Sequence, residues 1–136
     1  MLTAVPLGSC SSDAVIDCAI EKGPCSAHLA ETGITATLDI TPRPAEAMKT
    51  LVFRIDLKKG ALPVTDGEVS LGLSMPGMTM APNTVTLAHR GGGMYEGRGV
   101  IVKCPSGDVW QAEARIRRVS AQGMQPHRAR FTFRVK

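Results

Sequence analysis

The sequence is poor in aromatic side chains: three Phe, one Trp and one Tyr make up 4% of its 136 residues. A core with so few rings must be filled by aliphatic side chains, with Trp110, Phe131 and Phe133 as its large members. Histidine is equally scarce, and the three present lack zinc-site spacing, which argues against a metallohydrolase. No G-x-S-x-G, H-E-x-x-H, phosphate-cradling loop or CxxC occurs, so hydrolytic, nucleotide-binding and thioredoxin-like readings have no motif behind them. Glu96 and Asp108 are isolated acids, and no carboxylate pair is spaced for general acid–base work. Gly91-Gly92-Gly93 lies between strand-like runs rather than before a helix and reads as a connection. The expectation is a protein that is not an enzyme. No run reaches the ~20 apolar residues that would span a bilayer as a helix.

The composition is globular, with 43% hydrophobic and 21% charged residues. The net charge of +4 is a mild excess. No Lys/Arg cluster is interleaved with aromatics, so nucleic acid is not an expected partner. Arg115, Arg117, Arg118, Arg128, Arg130 and Arg134 mostly alternate with apolar residues and read as the wet faces of two strands.

That alternation runs through the chain from Ile34 onward. Ile34, Ala36, Leu38 and Ile40 share one face. Leu51, Phe53, Ile55 and Leu57 follow, then Val69, Leu71, Leu73 and Met75, then Val85 and Leu87, then a strand from Met94 to Lys103. Trp110, Ala112, Ala114 and Ile116 form the sixth run, and Phe131, Phe133 and Val135 the last. Turn residues separate them: Pro42 and Pro44, Lys59-Gly60, Asp66-Gly67, Pro82-Asn83, Gly91 to Gly93 and Pro105-Ser106-Gly107. Period-two runs at this spacing predict an all-β fold, an immunoglobulin-like antiparallel β-sandwich of about seven strands. Only a turn around Ala45–Met48 departs from strand character. Residues 1–30 show no clear period and read as a signal remnant and cysteine-containing leader, leaving 31–136 as the sandwich domain, expected to be monomeric.

Within the leader, Leu7-Gly8-Ser9-Cys10 has the form of a bacterial lipobox, and Met1 to Pro6 resembles the end of an apolar signal segment, so that Met1 reads as a truncated or misplaced start. Cys10 is then the lipidation site, and the expected location is extracytoplasmic, in the periplasm or cell envelope, held to a membrane surface by lipid. Cys18, Cys25 and Cys104 remain as disulfide candidates, one bridge and one spare thiol. Spacing does not choose between them: Cys18–Cys25 would constrain the unfolded chain by about 2.5 kcal/mol and Cys25–Cys104 by about 4.5 kcal/mol.

The conspicuous motif is Met75-Pro76-Gly77-Met78-Thr79-Met80. Thioethers are soft ligands suited to Cu(I). Met78 and Met80 would point the same way from an extended segment, whereas Met75 continues the core face. Antiparallel tracing puts Cys104 at the same pole, which makes Met78, Met80 and Cys104 a candidate Cu(I) site and places His89 and His127 at the far pole. The competing reading is that the methionines fill gaps in the core or form an apolar contact patch.

From Ile34 to Val135 the chain resembles the YtkA-like/FixH-like extracytoplasmic β-sandwich domains. The resemblance rests on the strand leading into a proline (Leu38 to Pro42), the Met75-to-Met80 loop, Gly93-Met94-Tyr95-Glu96-Gly97, Gly107-Asp108-Val109-Trp110 and Phe131 to Val135, in that order. It implies a non-catalytic sandwich, and FixH-like members are linked to assembly of a copper-containing oxidase. The chain departs from the pattern in showing a lipobox remnant where FixH-like proteins carry a membrane helix. It also lacks the histidine many YtkA-like proteins place beside the methionines. The expected function is a lipid-anchored binding module handling Cu(I), with a membrane or periplasmic protein as partner. The alternative is an interaction domain without metal.

Overall fold

The computed structural model describes residues 16–29, 32–78, 83–103, 107–118 and 127–136. Those residues form nine strands, and no helix occurs among them: β1 (Cys25–Leu29), β2 (Ile34–Thr41), β3 (Thr50–Lys59), β4 (Leu62–Pro63), β5 (Gly67–Ser74), β6 (Thr84–Gly91), β7 (Met94–Val100), β8 (Val109–Arg118) and β9 (His127–Arg134). Every pairing is antiparallel, in the order β1-β2-β3-β7-β6-β5-β8-β9, with β4 attached to β3. The seven alternating runs become β2, β3 and β5 to β9. Lettered A to G, they give A-B-E-D on one sheet and C-F-G on the other, the immunoglobulin strand order. Inward positions that the alternation named, Leu38, Ile55, Leu71, Trp110 and Phe133, are all at 1% exposure or less, and on β7 the inward ring is Tyr95.

β6 joins the two layers. Thr84 to Leu87 pair with β5, and Ala88 to Gly91 pair with β7 across a register shift between His89 and Gly91. The sheet therefore bends round on itself, and it needs room at the bend. Gly97 and Gly99 supply that room: a Cβ on Gly97 would lie 2.6 Å from the Thr86 carbonyl oxygen, and one on Gly99 2.6 Å from Val85 Cγ2. On the same strand, the Tyr95 hydroxyl donates to Val64 O (2.8 Å) and accepts from Gly67 N–H (2.9 Å), fastening the segment between β4 and β5. Burial of this phenol raises its pKa.

The sequence reading differs from the structure at two places and is completed at a third. Residues 16–29 are not merely a leader: β1 pairs with β2, and Cys18, Ile20 and Leu29 are buried in the core. Asp17 and Cys18 donate their N–H groups to Thr132 O, and Asp17 Oδ1 accepts from Thr132 N–H, so this segment covers the free edge of β9. The β7 strand stops at Val100 rather than Lys103. The disulfide, which spacing left open among three candidates, is Cys18–Cys25, with Cα atoms 5.6 Å apart. Folding decides this pairing, because the bonds to Thr132 and the β1–β2 ladder bring those two residues together.

Candidate binding end of the sandwich

Strand direction assigns each motif to an end. β5 runs toward Ser74, β6 starts at Thr84, β7 runs toward Val100, and Leu73 N–H donates to Asn83 O while Asn83 Nδ2 donates to Val100 O. One end of the sandwich therefore carries Met75 to Met78 together with Val100 to Lys103. His127, opposite Ile116, and His89, opposite Tyr95, lie toward the other end. There His89 Nε2 accepts from Gly93 N–H at 3.2 Å, and its ring lies 4.8 Å from that of Tyr95. This hydrogen bond and ring contact give His89 a structural role.

The Met75-Pro76-Gly77-Met78 sequence makes a tight turn. Met78 N–H donates to Met75 O at 3.1 Å, and Gly77 has φ +75, the type II pattern with proline at the second position and glycine at the third. The turn splits the two methionines: Met75 is buried at 3% exposure and anchors the loop, while Met78 at 38% stands at the surface. Of the residues expected to bind Cu(I), Met78 is described; Met80 and Cys104 lie outside the described residues, as does Cys10. Among the described residues no three His, Cys, Asp or Glu side chains group as a metal site.

The fold adds a residue that periodicity could not place. The segment from Ala45 to Met48 is stitched across this end: Ala47 N–H donates to Lys136 O, Lys136 N–H to Ala45 O, and Met48 N–H to Ile101 O. Met48 has φ +65 and 64% exposure, beside the exposed Val100 (40%) and Val102 (47%). Four of the five large exposed hydrophobic residues among those described, Met48, Met78, Val100 and Val102, thus share one end of the molecule. Exposed Lys49, Lys103 and Lys136 stand among them. A hydrogen bond and charge from Lys49, with a smaller contribution from Lys136, hold the Glu46 carboxyl below its ordinary pKa.

The chain also enters here. Thr132, which receives Asp17 and Cys18, is level with Gln111 and Ser74 at the methionine end. Cys10 precedes Asp17 by seven residues, a span of at most about 25 Å. No helix among the described residues is long and apolar enough to cross a membrane. Compared with protein-family models, curated proteins and solved structures, the chain gives no match.

Proposed function

We propose that this chain is a non-catalytic, extracytoplasmic binding module, tethered by a lipid on Cys10, that rests its methionine end on an anionic membrane surface. The observation that carries the reading is the gathering of Met48, Met78, Val100 and Val102 at the end where the chain enters from Cys10. A lipid seven residues away keeps the entry point of the chain within about 25 Å of the bilayer. Apolar tips can then enter the interface while Lys103 and Lys136 meet anionic headgroups, each lysine contributing about 1 kcal/mol. The Cys18–Cys25 disulfide supports an oxidising compartment. The ordered likeness to YtkA-like and FixH-like domains supports a module without catalysis.

The test uses the full chain with Cys10→Ser, floated with vesicles of phosphatidylcholine alone or mixed with phosphatidylglycerol. Binding to the anionic vesicles is expected, and Met48→Ser/Val102→Ser should weaken it roughly tenfold or more, since each buried apolar side chain contributes on the order of 1–2 kcal/mol. Full binding by the double variant, or none by the parent, rejects the membrane-facing end.

A second reading, Cu(I) handling, is favoured by one observation: Met48 and Met78 present two exposed thioethers at the same end. Met80 and Cys104 would complete the soft ligand set. Titration of the full chain with Cu(I) against a competing chelator should then show an affinity that falls at least about tenfold in Met48→Leu/Met78→Leu/Met80→Leu. An unchanged affinity excludes methionine ligation.

A further inference from the structure

Away from the methionine end, the arginines of β8 and β9 form a cluster whose charges do not balance. Glu113 lies on the outer face of β8, and its side chain is only 12% exposed. Arg115 Nε donates to its Oε1 at 3.0 Å, Arg130 Nε donates to its Oε2 at 3.2 Å, and Arg128 Nη1 lies 3.9 Å from Oε1. One carboxylate thus serves three guanidiniums, whose side chains remain 47%, 65% and 59% exposed in the order Arg115, Arg130, Arg128. No second carboxylate pairs with these arginines among the described residues. Burial pushes the Glu113 pKa up, but the hydrogen bonds from Arg115 and Arg130 and the charge of Arg128 outweigh it, so the group is held below its ordinary value and stays ionised.

The arrangement costs stability. Arg115 and Arg128 are directly opposed across the β8–β9 ladder, and like charges so placed repel. Two features show that this face is shaped as well as charged. Gly72 sits opposite Glu113, and the Arg115 guanidinium lies over β5 at this position, 3.4 Å from where a Cβ on Gly72 would stand. Beside it β6 leaves β5 after the Leu87–Val69 pair to join β7, opening a groove of ≈ 470 Å³. Ser70 and Thr86 line that groove with Arg115, Arg117 and Glu68; Arg115 is the cluster member that reaches it, and Arg128 and Arg130 stand next to it on β9, across β8 from the groove. Arg117 is paired with Glu68, which leaves the excess positive charge on the Arg115 side.

We propose that this groove and the Arg115/Arg128/Arg130 cluster bind a small organic oxyanion, a phosphate or carboxylate compound with at least two acid groups. Guanidinium groups held in place by a buried carboxylate lose little freedom on binding and offer the fork geometry that carboxylates and phosphates accept. Two acid groups match the two positive charges that Glu113 leaves uncompensated. The groove volume falls in the range of small-ligand sites, and the hydroxyls of Ser70 and Thr86 supply neutral donors beside the charges. The site lies on the flank of the sandwich and is independent of membrane contact at its end.

The test is calorimetric titration of the full chain at low ionic strength with pyrophosphate, citrate and acetate. Pyrophosphate, citrate or both should bind with resonance shifts at Ser70 and Thr86, and acetate should bind far more weakly. Arg115→Gln and Arg130→Gln should each lose about tenfold or more in affinity, the effect of removing one charge-assisted hydrogen bond. Arg98→Gln, which removes the same charge from the outer face of β7, should change nothing. Equal losses in Arg98→Gln and Arg115→Gln would reduce the effect to diffuse charge, and absence of binding by either polyanion would also overturn the site. Vesicle flotation of Arg115→Gln should match the parent, which keeps this result separate from that of the methionine end.

Discussion

Trp110→Ala is expected to lower folding stability by roughly 3–5 kcal/mol, the range for truncating a fully buried large ring. Trp110 is 1% exposed, faces inward from β8 and is paired across the ladder with Phe133. Two properties of this chain keep the loss at that level. The aromatic share is 4%, so few large side chains are available to move into the cavity. Trp110 is also flanked on its own strand by Ala112 and Ala114, which cannot reach across the gap. A single domain of this size is stable by about 5–15 kcal/mol, so the variant should unfold at markedly lower denaturant while keeping its cooperativity. Denaturant unfolding followed by far-ultraviolet circular dichroism measures the difference. A loss below about 1.5 kcal/mol would mean that the core closes over the missing ring, contrary to the packing described.

Gly97→Ala should cost on the order of 2–3 kcal/mol, although it adds a single methyl group. The substitution has two opposing effects. Restricting the unfolded chain favours the alanine by about 0.4–1 kcal/mol. Against this, the new Cβ would meet the Thr86 carbonyl oxygen at 2.6 Å, Leu87 Cδ2 at 2.8 Å and Val85 Cγ1 at 3.1 Å. The first of these is backbone on the strand that joins the two layers, and it cannot withdraw without opening the bend. Gly99→Ala is the informative comparison, since its nearest neighbour, also at 2.6 Å, is a Val85 side-chain methyl rather than backbone, so relief requires a side-chain shift and not a movement of the joining strand. Unfolding measurements on the pair should therefore rank Gly97→Ala as the more damaging. Equal stabilities would show that the bend at β6 does not depend on backbone contact with Gly97.

Both predictions rest on strands that the sequence already outlines, and the elements it obscures are instructive. β1 does alternate, with Cys25, Ala27 and Leu29 inward and Ser26 and His28 outward. Two of its three inward side chains, Cys25 and Ala27, are small, and the run follows Pro24, so hydrophobicity alone does not distinguish it from a leader. β4 is two residues long, too short for any period. The type II turn at Met75 to Met78 is legible in Pro76-Gly77, and it separates the buried methionine from the exposed one. Met48 carries no comparable signal. It reaches the methionine end because backbone bonds to Ile101 and Lys136 cross the end of the sandwich.

By itself, the sequence determined the all-β class, the seven principal strands, their inward faces and the end of the sandwich to which the methionine loop belongs. These follow from local patterning, because in a strand the side-chain period assigns each residue to a face and turn residues mark each reversal. Only the tertiary structure decided the Cys18–Cys25 bridge, the inclusion of residues 16–29, the exposed apolar end and the cluster of three arginines on Glu113. Each of these depends on residues far apart in the chain whose proximity is set by which strands pair and in what register. That choice minimises the free energy of the whole sheet, and no local pattern records it.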